Sequence, residues 1–410
     1  MAMEFRRDAH LQALRSKSFD VLVVGGGITG LGVALDAASR GLSVALVERD
    51  DFSSGTSSKS SKLAHGGLRY LQQGEVRLVY EALHERQRML RNAPHLVQVM
   101  PFMIPILTKD GVISKKIARA DIAVVIPVRR DRRSLFVVPW VKNADGTYRY
   151  TYVGTTDTDF AGDVDESQCS VDDIDYILEA LNQSITTNVT RNDVTAVWSG
   201  LRPLVRQADG SASKEKTADL SRNHKVAVSD SGVISITGGK LTTYRKMAEH
   251  TVDEVCSRLG RRTKSKSKRL ALIGGRGFDR SHLRGTHAHL AQRYGTELDR
   301  VLAIAAESPV FARPLIDGLP YIAAEAIFAV RHEMALSLDD VLSRRTRARI
   351  VDRRATLASA RRVAELIAPE LKWSQQEIET QVREFVDSCA REEAAGAVSE
   401  AEYLASTRQD

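Results

Sequence analysis

Cysteine is scarce in this chain of 410 residues. Cys169, Cys256 and Cys389 lie far apart and form no C-x-x-C pair. This spacing excludes a disulfide framework and a zinc site, and it favours a reducing cytoplasm. Long apolar runs are also absent, since no window approaches the roughly 18 residues that a membrane-spanning helix needs. Residues 1–18 lack the apolar core of a signal peptide. We therefore expect a cytoplasmic protein without a resident metal.

The composition is that of an ordinary soluble globular protein, with 43% hydrophobic and 27% charged residues. The net charge is +7, and basic residues cluster at positions 129–133 and 261–269. Nucleic-acid binding is not favoured, because no recognition motif or aromatic platform accompanies these clusters. Solvated loops are the simplest interpretation, and contact with an anionic membrane surface is the alternative.

The most informative segment follows the first apolar run of the chain. Residues 19–24 are apolar and β-branched, which predicts a short buried strand. A helix is predicted over residues 28–40, ended by Gly41, and a second strand over residues 44–47. This order of strand, glycine turn, helix and strand is typical of a dinucleotide-binding unit.

Three glycines and one acid give that unit its chemistry. Gly25 permits a tight turn, Gly27 lets a pyrophosphate approach the helix start, and Gly30 lets the helix pack closely on the strand. Glu48 lies about 20 residues downstream, where a carboxylate binds ribose hydroxyls and disfavours the 2′-phosphate of NADP. A glycine turn by itself is an ordinary turn, whereas the full set predicts a dinucleotide such as FAD or NAD.

Hydroxyls, glycines and cations are concentrated in residues 53–71, just after the second predicted strand. Hydroxyl groups and backbone amides suit phosphate and ribityl oxygens. Composition alone fits a flexible serine-rich loop equally well. Residues 65–70 favour a site, because an imidazole, two glycines and a guanidinium lie within this short run.

A second glycine-rich turn occupies residues 238–245, after the strand-like run 233–237. A strand that leads through glycines into a helix offers a second helix N-terminus to an anion, here with a lysine at the turn. Four cations along the chain could together hold a phosphate group: Arg69, Arg202, Arg222 and Lys240. Taken singly, each is more often a surface or structural cation.

The remaining pattern predicts further elements: helices over 76–91, 172–189, 355–366 and 374–391, strands over 122–126 and 135–138, a turn at 143–146 and a hairpin over 225–237. Ser374 and Glu377 form a capping box at the start of the last helix. The hydrophilic stretch 260–269 is the best domain boundary. Residues 344–347 are interpreted as a solvated helix face.

These segments together resemble the FAD-dependent glycerol-3-phosphate dehydrogenases of the bacterial aerobic type. The most specific match is G-G-K-x-x-T-Y-R-x-x-A at residues 238–248. The other matches are distributed along the chain: residues 24–30 with Asp36, Arg40 and Gly41, residues 60–71, residues 154–159 and residues 200–204. The resemblance implies an α/β fold with a Rossmann-like FAD-binding domain over 1–262, a shortened β-rich substrate portion at about 121–160, and a C-terminal helical domain over 263–410.

The resemblance also implies residue roles. FAD would be bound by both glycine turns and the hydroxyl-rich loop: Gly25, Gly27, Gly30, Glu48, Thr56, Ser57, Ser61, Lys62, Gly239, Leu241 and Thr242. The substrate, sn-glycerol 3-phosphate, would be bound by Arg69, Tyr70, Arg202, Arg222 and Lys240. Catalysis is assigned to His65, Arg69 and Arg202. His65 would accept the hydroxyl proton as hydride passes from C2 to FAD N5.

The same resemblance implies partners for the chain. The product would be dihydroxyacetone phosphate, and the electrons would pass to a quinone. A peripheral position on the inner face of the cell membrane and a homodimer are expected, and nucleic acid is not an expected partner.

One block that such enzymes carry is missing. At Ala120 and Asp121 the sequence passes from a helix start to a run that resembles a late strand of the substrate sheet. The shortening gives an alternative of a different class, a non-enzymatic remnant with partial nucleotide binding. An NAD-dependent oxidoreductase is a weaker alternative, because the hydroxyl-rich loop and the second glycine turn fit flavin better.

Overall fold

The structure is a computed structural model, and it describes residues 5–66, 76–103, 122–128, 131, 133–142, 147–158, 160, 162–204, 224–284 and 287–397. The chain divides into two compact units. The first comprises Met1–Gln98 and Leu201–Val301, and the second comprises Val99–Gly200 and Leu302–Asp410. The domain boundary expected between residues 262 and 263 stays a prediction, and these units do not test it.

The helices and strands follow one another in this order: α1 (Arg7–Ser16), β1 (Val21–Val24), α2 (Ile28–Ser39), β2 (Val44–Val47), α3 (Val76–Asn92), β3 (Phe102–Met103), β4 (Ala123–Pro127), β5 (Ser134–Lys142), β6 (Tyr148–Gly154), α4 (Val171–Asn182), β7 (Lys225–Val228), β8 (Ile234–Thr237), α5 (Tyr244–Arg258), α6 (Ala288–Tyr294), α7 (Leu298–Glu307), α8 (Ala323–His332), α9 (Ala348–Val351), α10 (Arg353–Leu371) and α11 (Gln375–Ala395). Mixed helix and sheet confirm the α/β fold class.

The first unit contains the predicted strand–helix–strand. β1 and β2 pair in parallel, with Val21 opposite Val44, and α2 joins them with the predicted bounds to within one residue. Gly41 has φ +89°, which suits glycine after a helix end. β7 and β8 form the predicted antiparallel hairpin. These elements were predictable because their patterns are local.

Helix α2 packs directly on α5. A Cβ built on Gly32 would lie 3.0 Å from the Tyr244 ring and 3.3 Å from Ala248 Cβ, so the two helices are in close contact there. The contact belongs to a buried cluster whose members come from β1, α2, the chain between α2 and β2, and α5: Val23, Val33, Ala37, Leu42, Ala248, Val252 and Cys256.

The buried guanidinium of Arg40 joins the same two helices. Arg40 Nε donates to Asp36 Oδ2 at 2.7 Å, and Nη1 donates to Asp253 Oδ1 at 2.6 Å. The Arg40 guanidinium also donates to the backbone carbonyls of Glu249 and Thr263, each at 3.1 Å. Since these acceptors come from α2, α5 and the chain after α5, one side chain holds three segments together.

A second buried arginine joins α3 to α5. Arg245 Nε and Nη2 donate to the two Glu85 oxygens at 2.6 Å each. Arg245 Nη1 donates to Glu249 Oε2 at 2.7 Å and to Ser267 Oγ at 3.1 Å. Burial by itself would raise the pKa of the Glu249 carboxyl, but the hydrogen bond and charge of Arg245, with Lys246 and Lys268, lower that pKa to about 2.

The second unit contains a four-stranded sheet in the order β3-β4-β5-β6. β3 and β4 are parallel, whereas β4-β5 and β5-β6 are antiparallel. The turn expected at 143–146 lies outside the described residues. The predicted helix 172–189 is too long, because α4 ends at Asn182. Asn182 bonds both backbone groups of Val189, at 2.8 and 2.9 Å, and this contact folds the chain away from the helix.

The C-terminal helices of the second unit share one core. Phe385, Leu342 and Ile367 are almost completely buried in it. The predicted capping box is present, with Ser374 Oγ accepting from Glu377 N at 3.3 Å. The prediction of a solvated face at residues 344–347 is wrong. Thr346 is fully buried, and Arg344 pairs with Asp339 and Asp340 at 2.7 and 2.5 Å.

None of the described helices is long and apolar enough to span a bilayer. The three cysteines are free thiols. Burial raises the pKa of Cys169 to about 12 and that of Cys389 to about 11. Both thiols therefore stay protonated near neutral pH, and a protonated thiol is a poor nucleophile.

Acid is expected to weaken the Arg245–Glu249 contact. Because the folded-state pKa of Glu249 is about 2 instead of 4.5, its contribution to stability is complete above about pH 5 and is lost as the pH falls towards 2. The Glu249→Gln variant lacks this titration. Urea unfolding should show the wild type losing about 0.5–1 kcal/mol more than this variant between pH 7 and pH 4. Equal losses in the two proteins would contradict the assignment.

Candidate functional site

The first glycine turn joins β1 to α2. Gly25 has φ +104° and donates its N–H to the Val47 carbonyl at 2.9 Å, so the turn lies against the end of β2. A Cβ built on Gly30 would lie 1.9 Å from the Gly25 oxygen, which no side chain can tolerate. The backbone therefore requires glycine at both positions.

The N-terminus of α2 is the anion-binding feature of this turn. Gly27 is the N-cap residue, with φ −69° and ψ 172°. The amide of Ile28 donates to Ser57 Oγ at 3.0 Å, so a hydroxyl of the serine-rich loop lies at the helix start. A Cβ built on Gly27 would meet only Ser57 Oγ, at 3.6 Å. The helix dipole and the remaining amides favour a phosphate group at this position.

The carboxylate of Glu48 lies beside the turn, directly after β2. Its Oε2 accepts from Gly26 N and its Oε1 accepts from Asp50 N at 3.1 Å. These bonds hold the carboxylate at the carboxyl end of the parallel strands, where α/β sheets bind ligands.

A cleft of about 370 Å³ opens at this place. Four of its lining residues were predicted: Gly27, Glu48, Thr56 and Ser57. Four others were not: Arg49, Asp50, Ser54 and Gly55. The sequence could have indicated them, because Arg49 and Asp50 directly follow Glu48 and the other two lie within the hydroxyl-rich loop.

The rest of the hydroxyl-rich loop continues from the cleft. Thr56 Oγ1 donates to the Leu201 carbonyl at 2.6 Å, which brings the backbone next to exposed Arg202 to the loop. Lys62 has φ +55°, and its Nζ donates to the Ser58 carbonyl. Ser61 is partly buried, and the side chain of His65 is exposed.

The second glycine turn joins β8 to α5. Gly238 and Gly239 both have φ +76°, a conformation that glycine adopts without strain. Lys240 precedes a short 3-10 turn, Leu241–Thr243, that leads into α5. Thr242 is 2% exposed, and Lys240 is partly buried.

The two turns lie near each other because α2 packs on α5. Tyr244, the first residue of α5, contacts Gly32, which is about 7 Å along the helix from Gly27. Two helix N-termini with a glycine turn each therefore lie side by side in the first unit. Arg69, Tyr70 and Arg222 lie outside the described residues. Of the predicted substrate-binding and catalytic residues, the structure therefore describes Arg202, Lys240 and His65.

The residues of this site are suited to bind FAD. The backbone at Gly27 leaves room for a pyrophosphate, since a Cβ there would occupy that space, and Glu48 suits ribose hydroxyls. Hydroxyl groups of Thr56 and Ser57 line the same cleft. The second helix start provides further backbone amides.

Comparison with protein families gives two matches. The FAD dependent oxidoreductase family matches residues 20–129 and 112–245, which together exceed half of the chain. The C-terminal domain of alpha-glycerophosphate oxidase matches residues 265–378. The match to the FAD dependent oxidoreductase family has two parts, which overlap at residues 112–129. The block predicted to be missing would lie there, at Ala120 and Asp121.

Curated relatives match almost the whole chain. The glycerol-3-phosphate dehydrogenase of Mycobacterium leprae is 30% identical, over 93% of this chain and 89% of the relative. The mitochondrial glycerol-3-phosphate dehydrogenase of Mus musculus is also 30% identical, over 92% of this chain and 74% of the relative. The first alignment extends over 535 residues, although this chain has only 410. The relative therefore carries residues that have no counterpart here.

A solved structure agrees with both results. The glycerol-3-phosphate dehydrogenase from Bacillus halodurans, complexed with FAD, superimposes with a TM-score of 0.72 and 25% identity, over 93% of this chain and 96% of that one. Sequence, local geometry and overall fold thus agree, and the chain belongs to the family of FAD-dependent glycerol-3-phosphate dehydrogenases.

Proposed function

We propose that this protein oxidises sn-glycerol 3-phosphate to dihydroxyacetone phosphate, with FAD as its cofactor. The observation that carries the proposal is the pair of glycine turns at two helix N-termini, held side by side by the α2–α5 contact. One turn has the carboxylate that ribose needs, and the other has a lysine suited to a phosphate. A non-enzymatic remnant is not favoured, because both turns are in place.

The first turn and its cleft bind the cofactor in this proposal. Glu48 accepts hydrogen bonds from ribose hydroxyls, and the α2 N-terminus at Gly27 binds the pyrophosphate. Thr56 and Ser57 supply hydroxyl groups along the cleft. Gly239, Leu241 and Thr242 form the second helix start, where backbone amides approach the flavin end.

The substrate phosphate is bound by cations, and the oxidation needs a proton acceptor. Lys240 and Arg202 neutralise the phosphate charge and orient C2 of the substrate. His65 accepts the proton of the C2 hydroxyl, and its exposed ring can release that proton to water. FAD, when bound, supplies the N5 atom that accepts the hydride from C2.

We also propose a quinone as the electron acceptor and a peripheral position on an anionic membrane in the cytoplasm. Exposed cations at the end of α5 and after it support the membrane contact: Arg258, Arg261, Arg262, Lys264, Lys266, Lys268 and Arg269. Ile273 follows them and is 83% exposed. Cations beside an exposed apolar side chain suit the boundary between lipid headgroups and acyl chains. The homodimer stays a prediction.

The Gly27→Ala variant separates a structural from a cofactor-binding role. A Cβ at Gly27 has an ordinary contact with Ser57 Oγ within the protein, so the unfolding temperature of the FAD-free protein should not change. The same Cβ would occupy pyrophosphate space, so FAD affinity should fall by roughly tenfold or more. Fluorescence titration of the FAD-free protein measures this.

The control for this prediction is Lys225→Met, which changes an exposed side chain on β7 that does not line the cleft. This variant should retain FAD affinity within about twofold. If Gly27→Ala binds FAD as tightly as Lys225→Met does, the pyrophosphate does not approach Gly27 and the cofactor placement is wrong.

Substrate oxidation tests the proposed function itself. The FAD-loaded protein should reduce an artificial electron acceptor with sn-glycerol 3-phosphate and not with glycerol. Lys240→Met should lower kcat/KM by roughly 10- to 100-fold, because it removes a charge-assisted bond to phosphate. Lys225→Met, an exposed lysine on β7, should leave kcat/KM unchanged. Equal turnover of glycerol and its phosphate would contradict the proposal.

Vesicle sedimentation tests the membrane contact. The protein should sediment with vesicles that contain phosphatidylglycerol and remain in solution with neutral vesicles. The triple variant Arg262→Gln, Lys264→Gln and Lys266→Gln should lose roughly 3 kcal/mol of vesicle binding, about 1 kcal/mol for each cation that is removed. Binding that is independent of both lipid charge and these cations would overturn the assignment of this surface.

A further inference from the structure

A bidentate ion pair connects two helices that carry opposite parts of the proposed site. Arg245 on α5 is 5% exposed and Glu85 on α3 is 1% exposed. Their two parallel hydrogen bonds are each 2.6 Å long, and Arg88 also donates to Glu85. Two parallel bonds between planar groups fix direction as well as distance. The pair therefore sets how α3 lies against α5.

Helix α3 supports the segment that contains His65. Leu83 lies two residues before Glu85 on this helix. A Cβ built on Gly66 would lie 2.7 Å from Leu83 Cδ2, so the backbone at Gly66 is in direct contact with α3. His65 precedes Gly66, and a shift of α3 would therefore move the proposed proton acceptor.

Helix α5 carries the other part of the proposed site. Arg245 is its second residue and follows the turn with Lys240 and Thr242. The guanidinium is also held by Glu249 Oε2 at 2.7 Å and Ser267 Oγ at 3.1 Å. Four hydrogen bonds keep the first turn of α5 in place, with Glu85 as the only α3 partner among them.

We propose that Glu85 and Arg245 are positioning residues, which hold the His65 segment at its working distance from the Lys240 turn. This inference rests on the proposed function. Neither residue has to touch the substrate. They act through α3 and α5, where Arg245 lies between the carboxylates of Glu85 and Glu249.

The Glu85–Arg245 pair contributes direction and distance between α3 and α5, and little to the free energy of unfolding. A buried pair contributes little net stability compared with well-packed apolar side chains, because desolvation of two charges offsets their attraction. What such a pair does supply is directional contact. A displacement of about 1 Å at reacting groups can cost a hundredfold in rate.

The second unit offers a control with the same hydrogen-bond pattern at a less buried ion pair. Arg331 is likewise held by two carboxylates, donating to Glu370 at 2.9 and 2.6 Å and to Glu307 at 2.8 Å. Loss of one carboxylate leaves either arginine with another: Glu249 for Arg245, and Glu307 for Arg331. Arg331, however, joins α7, α8 and α10, which carry none of the proposed site residues.

The experiment compares Glu85→Gln with Glu370→Gln in the FAD-loaded protein. Both variants should unfold at lower temperature than the wild type. Anaerobic reduction of FAD at saturating sn-glycerol 3-phosphate should slow by roughly 10- to 100-fold in Glu85→Gln and by less than about twofold in Glu370→Gln. Glu85→Asp, which keeps the charge but shortens the side chain, should also be slow. Hydrogen exchange should quicken at residues 61–66 and 238–243 in Glu85→Gln only.

The two readouts distinguish failure of this inference from failure of the proposed function. If the wild type does not oxidise sn-glycerol 3-phosphate, the proposed function is wrong, and exchange at the two segments still decides whether the pair holds them. Unchanged exchange in Glu85→Gln would overturn the inference. A normal rate of FAD reduction in Glu85→Gln, or an equal loss in Glu370→Gln, would overturn it as well.

Discussion

The contact between α2 and α5 is the constraint on which the proposed site depends. Gly32 lets the first turn of α5 approach α2, and the buried guanidinium of Arg40 joins Asp36 to Asp253 across the same pair of helices. Each helix begins at a glycine turn. Because both helices are held together along their length, their positive ends lie side by side, and each end offers backbone amides to a different part of the cofactor.

Local patterns were sufficient to predict the elements that form this arrangement. The bounds of β2 and the capping box at Ser374 follow from short-range spacing and were predicted correctly. Contacts between distant residues were not predictable in this way. Val189 ends α4 early through Asn182, and Arg344 pairs with two aspartates instead of facing solvent. The spacing of hydrophobic residues in the sequence does not indicate such hydrogen-bond and ion-pair partners, because these depend on the tertiary structure.

The same division applies to the site. The glycines and Glu48 could be found from sequence because backbone geometry demands them at fixed spacing. The role of Arg245 could not, since its partner Glu85 lies 160 positions earlier in the chain. The shortening near Ala120 was visible in sequence and agrees with the longer relatives. It leaves both glycine turns intact, and a four-stranded sheet still forms in the second unit.

The central claim is that the shortened chain keeps a working flavin site. The visible absorption spectrum of the purified protein, followed by anaerobic addition of sn-glycerol 3-phosphate, tests it most directly. We expect flavin bands that bleach when the substrate is added. A colourless protein that does not take up added FAD would contradict the account of the cofactor site. Flavin bands that substrate leaves unchanged would contradict the account of the substrate site.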